Sequence, residues 1–473
     1  MTGSLLASSV VDLARWQFAL TTLYHFTFVP LTLGLAPLVA VMQTLWYRSG
    51  NEQWLRLTRF FGTLLVINFA IGAATGLLQE FQFGMGWSAY SAFVGDVFGS
   101  TLALEGLAAF MLESTFIGLW IFGWNRLSPR MHLASIWLVA GGTWLSTTFI
   151  LMANSWMQNP VGYSINPATG QAQMENLWTV VSNPIAIWAV AHTLLVGLMA
   201  GSFLMLGVAC WHILRQRNSA LFRPVVKLAL IVALPVTALN LLVGSEFGVA
   251  LYEGPQPMKI ASAEALWQSE KPASFSIFQV GGFSEADQEP SFSIEIPYLL
   301  SFLATNNPTS EVKGMLEIQD EQRQRLGPGN YLPNVHMTYW AMRGMAYVGT
   351  LSLFVALLGA FLYRRGTLEK SRWFLKLAIA GIALPFVSAL IGWVFTESGR
   401  QPWIVYEVMR TEDGISPSLS SGEVIASLAV FVSLYAILAV VAFVLLRRYA
   451  QLDPPEPGSL ENPDEGPLVT AGL

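Results

Sequence analysis

The sequence predicts an all-α polytopic membrane bundle of nine transmembrane helices, N-terminus outside and C-terminus cytoplasmic. Three observations predict it. Hydrophobic residues fill 53% of the 473 positions and charged residues only 12%, with 17 Trp and 29 Phe, which is a membrane composition. Apolar runs of about 20 residues or more, the length a ~30 Å hydrocarbon core requires at ~1.5 Å per residue, recur along nearly the whole chain. Lys and Arg collect in alternate connections between those runs.

In order, the candidate spans are 16–46, 57–82, 93–124, 131–154, 184–214, 222–252, 336–363, 372–398 and 421–446. Several are too long for a perpendicular crossing and call for tilt or extension past the bilayer. Connections after spans 1, 3, 5 and 7 hold Arg48, Arg56 and Arg59; Arg126 and Arg130; Arg215, Arg217 and Arg223; and Arg364, Arg365, Lys370 and Arg372. Those after spans 2 and 4 hold none, and Arg447 and Arg448 open the tail, so these ends are read as cytoplasmic. The chain divides into helices 1–6 (1–252), an extracytoplasmic loop rich in Pro and Gly (253–335), helices 7–9 (336–449) and a cytoplasmic tail (450–473). From Asp453 the tail carries five acids and no base, a composition that predicts disorder. No cleavable signal is expected, because no basic segment precedes Arg15 and the first apolar run is too long.

A net charge of −5 argues against nucleic acid as a partner. The single cysteine, Cys210, forms no internal disulfide, and with no CxxCH segment any haem would be held noncovalently.

An ionisable group inside a span costs on the order of 3 kcal/mol, so each asks for a partner or a task. Counted from the outer end, His25 lies about ten residues into span 1, His192 about eight into span 5, Met345 about nine into span 7 and Glu105 about twelve into span 3. At ~1.5 Å per residue these four share a layer roughly 12–18 Å deep. Glu397 ends span 8 at or just above that layer. A His/Met pair on separate helices makes a six-coordinate, electron-carrying haem. Taken singly, an intramembrane His is as readily a helix contact and a Met a packing residue; the shared depth is what favours a cofactor. Glu105 and Glu113 stand about 12 Å apart along span 3, suited to a proton relay or to helix–helix hydrogen bonds. In GWVFTESGRQPW (392–403), Glu397 and Arg400 lie one turn apart between Trp393 and Trp403, as a surface pair or as a site for a carboxylate-bearing group.

The segments RWQFALTTLYHFTFVPLTLGL, INFAIGAATGLLQEFQFGMGWSAYS, LEGLAAFMLESTFIGLWIFGW, WMQNPVG, AHTLLVG and GRQPW resemble those of subunit I of cytochrome bd quinol oxidases, in order and spacing over spans 1–8. The resemblance implies a terminal respiratory oxidase of the bacterial cytoplasmic membrane that passes electrons from quinol to dioxygen and forms water. It implies three haems: a low-spin haem b, a high-spin haem b and a haem d. His192 and Met345 match the low-spin pair and Arg343 an arginine near it. His25 and Glu397 match axial ligands of the two high-spin haems, with their assignment to haem d left open, and Glu105 stands beside the oxygen-reducing centre. Trp393 matches an aromatic residue among the haems, and Arg400 a partner of haem propionates. The loop resembles the family's quinol-binding loop in its shorter form, with Lys259 and Glu264 at the positions implicated in quinol oxidation. From the residues alone both read as solvated surface charges. Chemically, a carboxylate can accept a quinol proton while an ammonium steadies the oxyanion.

The resemblance also implies a subunit II, small single-helix subunits as possible further partners, and protons drawn from the cytoplasm, with Glu113 and Glu105 forming the upper part of their path. His132 and His212, near inner helix ends, are expected to be structural. Two rival readings are a proton-coupled secondary transporter, with Arg400 holding an anionic substrate, and a membrane scaffold.

Overall fold

The computed structural model describes residues 2–455. Its helices are α1 (Thr2–Phe26), α2 (Val29–Ser49), α3 (Glu52–Gly86), α4 (Ser88–Leu104), a π-helical turn (Glu105–Phe110), α5 (Met111–Phe122), α6 (Pro129–Gln158), α7 (Leu177–Val181), α8 (Pro184–Leu214), α9 (Ser219–Tyr252), α10 (Pro257–Ala263), α11 (Leu299–Thr305), α12 (Met315–Leu326), α13 (Val335–Arg364), α14 (Arg372–Gly381), α15 (Ala383–Ser398) and α16 (Ser421–Gln451). Among the described residues, nine helical stretches are long and apolar enough to cross a membrane, in agreement with the nine expected spans. Three small antiparallel hairpins accompany them: β1 (Tyr163–Ile165) with β2 (Ala172–Met174), β3 (Phe275–Gly281) with β4 (Pro290–Ile296), and β5 (Trp403–Val405) with β6 (Met409–Arg410). "All-α" therefore describes the membrane part, and the hairpins lie in its connections.

Two expected spans are each broken once, by the same rule. Proline lacks an N–H and its ring crowds the carbonyl four residues earlier. Pro30 ends α1 at Phe26, and Pro385 separates α14 from α15 after Gly381. Pro37 instead stays inside α2, and the Leu33 carbonyl it deprives of a partner accepts the Trp144 Nε1–H at 3.0 Å. α2 packs closely on α8 because Gly34 meets Gly197 and Gly201; a Cβ on Gly34 would fall 1.9 Å from the Gly197 carbonyl oxygen.

The largest apolar core lies toward the arginine-rich ends, around Leu35, Phe61, Phe203 and Phe222. A smaller core, with Met258, Trp267, Met315 and Tyr339, seats the long loop on the start of α13. Of the expected tail, residues 450–455 are described: His212 bonds the Ala450 carbonyl at 3.0 Å, and Arg217 pairs with Asp453 at 2.6 Å. Residues 456–473, where disorder was expected, lie outside the described residues.

Candidate functional site

His192 on α8 faces α9, where Gly244 has only a hydrogen to present; a Cβ there would lie 3.2 Å from the ring's Cε1. The side chain is partly buried, and its buried Nδ1 has no hydrogen-bond partner. One turn earlier on α9, Leu241 meets Gly349 of α13, one turn beyond Met345. α9 thus brings His192 and Met345 to a common level. Met345 in turn lies against Gly392 of α15, where a Cβ would come within 2.7 Å of its sulfur.

The neighbouring residue, Trp393, stacks on Phe26 at 5.2 Å, which sets the end of α1 against α15 and carries His25 there. His25 Nδ1 bonds Thr75 Oγ1 at 3.0 Å, and a Cβ on Gly76 would be 2.9 Å from its Cε1. One turn past Trp393, Glu397 takes the Asn154 Nδ2–H at 3.0 Å on one oxygen and pairs with Arg400 through the other. Arg400 is 3% exposed, yet its Nε and Nη1 find no acceptor. Trp403 points elsewhere, stacked on Tyr331 at 5.5 Å beneath the loop.

From Glu397 a polar chain leads to the loop. Asn154 Oδ1 accepts from Gln158 Nε2 at 3.1 Å, and Gln158 Oε1 accepts from Lys259 Nζ. Gln256 donates to the Gln158 carbonyl at 2.7 Å, tying α10 to the end of α6. Lys259 is 1% exposed; burial first and Arg400 second push its pKa down to about 7, against the pull of Glu397. Glu264 pairs with Arg343 at 2.7 Å, and both are buried. Burial raises the Glu264 pKa, with Arg343 opposing. Arg343 also bonds the Ala263 and Ser276 carbonyls and lies 3.6 Å from the Tyr339 ring centroid, so the hydrogen bonds it makes hold the loop to α13. The two loop charges are not solvated, contrary to a reading from the residues alone.

On the far side of α6, Ser146 Oγ donates to Glu105 and Thr143 Oγ1 meets Glu113, each at 2.6 Å. The carboxylates flank the π-helical turn, a local widening that recurs at functional sites and changes the facing of residues on either side. His132 is apart from all of this, bonded to Gln43 at 2.8 Å and to the Trp120 carbonyl at 2.9 Å.

The site residues therefore form one connected layer on the loop side: His192, Met345, Trp393, His25, Glu397 and Arg400, with Lys259 reached through two amides. Glu105 and Glu113 lie across α6. Sequence reasoning missed Asn154 and Gln158, although two amides one turn apart at the end of an apolar run were a usable signal. It also missed Glu80, which is close enough to Glu105 to act on it electrostatically. The donor set suits haem: an imidazole nitrogen lacking a partner, a thioether and a second imidazole each beside a glycine, and a buried guanidinium with two uncommitted donors.

A sequence profile of the family described as "Cytochrome bd terminal oxidase subunit I" matches residues 13–454. The chain is 43% identical over 442 residues to "Cytochrome bd ubiquinol oxidase subunit 1" of Bacillus subtilis, covering 93% of each chain. It is 37% identical over 504 aligned positions to "Cytochrome bd-II ubiquinol oxidase subunit 1" of Escherichia coli, covering 94% of this chain and 97% of that one. Among solved structures, the bd oxidase from Geobacillus thermodenitrificans superposes with a TM-score of 0.83 at 28% identity, covering 94% of this chain and 99% of the other. A transporter or scaffold reading finds no support in these relatives. With that fold, that profile and those identities over nearly the full length, the chain belongs to the cytochrome bd terminal oxidase subunit I family.

Proposed function

We propose that this chain is the haem-carrying, quinol-oxidising subunit of a bacterial terminal oxidase that reduces dioxygen to water. The observation that carries the reading is the unbroken polar chain from Lys259 through Gln158 and Asn154 to Glu397 and Arg400, which links a buried loop lysine to a layer of iron-ligating side chains. When bound, two haem b groups and one haem d supply electron transfer and the oxygen-binding iron. His192 and Met345 would hold the low-spin haem b, with Arg343 near it. His25 and Glu397 would ligate the high-spin pair, with Glu105 near the oxygen-reducing one, Trp393 as an aromatic wall and Arg400 as a partner of propionates.

Each quinol surrenders two electrons and two protons, and two quinols meet the four-electron demand of dioxygen. Glu264, raised by burial yet ion-paired, is suited to take a quinol proton, and protonated Lys259 to steady the resulting oxyanion. The protons for water enter from the opposite, arginine-rich side, read as cytoplasmic, which makes turnover generate a proton motive force. Glu113 and Glu105 serve that path. Thr143 Oγ1 lies near both Glu113 and the Val139 carbonyl, so it can donate to the backbone while accepting a hydrogen bond from Glu113 when that acid is protonated.

The oxidase is an assembly, and we assign subunit II to the face of α3, α4 and α5. Leu77, Phe81, Leu107 and Met111 are exposed there, and Glu80 and Glu105 lie beside them. Lipid alone offers these two span carboxylates no further partner, whereas a second helical subunit does. Small single-helix subunits are further partners, and the cytoplasmic membrane is the site of action. The test is direct. The purified assembly should show reduced haem bands with dithionite and consume oxygen with quinol; a colourless preparation overturns the reading.

A further inference from the structure

The loop between α9 and α13 is tied at two points to the outward-facing ends of membrane helices. Tyr347 of α13 donates its hydroxyl to the Ile277 carbonyl, and Asn306 Nδ2 bonds Glu246 of α9 at 3.2 Å. Both ties fall at one depth. Both lie at the level of the His192–Met345 layer: Tyr347 is two residues from Met345 on α13, and Glu246 is two residues from Gly244, which packs on His192. Below Tyr347, Leu351, Phe354, Leu357 and Phe361 continue an exposed apolar stripe that lipid must cover.

The ribbon above that stripe keeps its apolar face outward. Alternate residues of β4, Phe292, Ile294 and Ile296, are 54%, 48% and 41% exposed. Ser293 and Glu295 occupy the other face and bond each other at 2.7 Å. Beyond it lie Tyr298, the residue before α11, and Phe302 on α11, 54% and 46% exposed. Phe278 meets Trp340 at 5.4 Å and Phe283 meets His336 at 5.0 Å, so β3 climbs α13 away from the membrane. Its turn carries Glu285, Asp287 and Glu289, all exposed, at the far end. Three acids therefore crowd the tip, while at the base Glu295 stands on the face opposite Ile296.

We infer that the base of this ribbon and α11 form a membrane-surface element, with Ile296, Tyr298 and Phe302 seated in the headgroup–acyl boundary of the loop-side leaflet. Aromatic and aliphatic side chains beside a charged, water-facing part are the composition such elements carry. The seating also fixes the height of β3, whose Ser276 carbonyl holds Arg343 and, through it, Glu264.

The test uses the assembled oxidase in phosphatidylcholine–phosphatidylglycerol vesicles, with nitroxide labels on Ile296→Cys, Phe302→Cys and, at the tip, Ala286→Cys. Cys210 is buried, and the unsubstituted protein serves as the label-free control. Collisions with dissolved oxygen and with a water-soluble nickel chelate are compared. The inference expects an oxygen-to-nickel ratio several-fold higher at 296 and 302 than at 286. Equal ratios at all three positions would mean water on the base, and loss of both collision rates at 302 would mean protein there; either overturns it.

Discussion

Two intramembrane histidines, His132 and His192, show how a structural role and a proposed ligand role differ in this bundle. His132 has both ring nitrogens occupied, by Gln43 and by the Trp120 carbonyl, and Gln43 returns an acceptor to Trp120 Nε1 at 2.7 Å. The network closes on itself between packed rings, and nothing further can bind. His192 is only partly buried, its Nδ1 has no hydrogen-bond partner, and Gly244 lies against one edge of its ring while the Phe247 ring is 6.4 Å away. Burying a polar atom without a hydrogen bond costs about 1–3 kcal/mol. That unpartnered nitrogen, level with a thioether on α13, is the feature on which the proposed haem site at His192 rests. His212 lies between the two: one nitrogen bonds Ala450, the other has no partner, but Phe60, Trp211 and Phe222 press on its ring and leave no room.

The comparison is broken most easily at Met345. Met345→Leu conserves volume, so packing survives; the expected result is loss of the low-spin haem band alone and of nearly all quinol oxidation. Loss of every haem band, or none, would show that the His192 side is not what it is taken for. Next in size, Glu264→Ala should lower quinol kcat/KM by about 10²–10⁴-fold, the range of general-base removal, with all haem bands retained. Normal turnover would remove Glu264 from the proton step.

A pH series on Lys259 is subtler. With its pKa pushed down to about 7, the ammonium is present below that pH and lost above it. Quinol KM should therefore rise as pH passes upward through about 7, and Lys259→Arg, protonated throughout, should flatten the rise. An unchanged profile in the variant would separate Lys259 from quinol binding. The smallest effect belongs to the control histidine. His132→Leu should cost about 1–3 kcal/mol of stability by stranding Gln43, seen as a lower Tm, while the dithionite-reduced spectrum stays that of the parent; an altered spectrum would erase the distinction drawn between the two histidines.

Much of the site was legible because depth along a helix can be counted. His25, His192, Met345 and Glu397 were found by their distance from span ends, and the helices do bring them into one layer. Lys259 and Glu264 are not legible in that way. A charge in a polar loop carries no local sign of burial, since what buries it is a helix 79 or 101 residues away: Arg343 of α13 reaches back to Glu264, and Gln158 of α6 reaches forward to Lys259. Asn154 and Gln158 were overlooked because an amide at a span end reads as a cap. The breaks at Phe26 and Gly381 could have been read from Pro30 and Pro385, whereas Pro37 stays helical only because Trp144 rescues the carbonyl it frees.

By itself the sequence determined the membrane class, the number of spans and the depth of each side chain proposed to hold haem, because hydropathy and helical rise are local properties that hold wherever the helix packs. Only the tertiary structure decided which ligand faces which, that two amides join the loop lysine to Glu397, and that the loop's charges are buried while part of its apolar surface is not. Those outcomes depend on glycine-lined contacts between helices distant in the chain, and no local pattern encodes them.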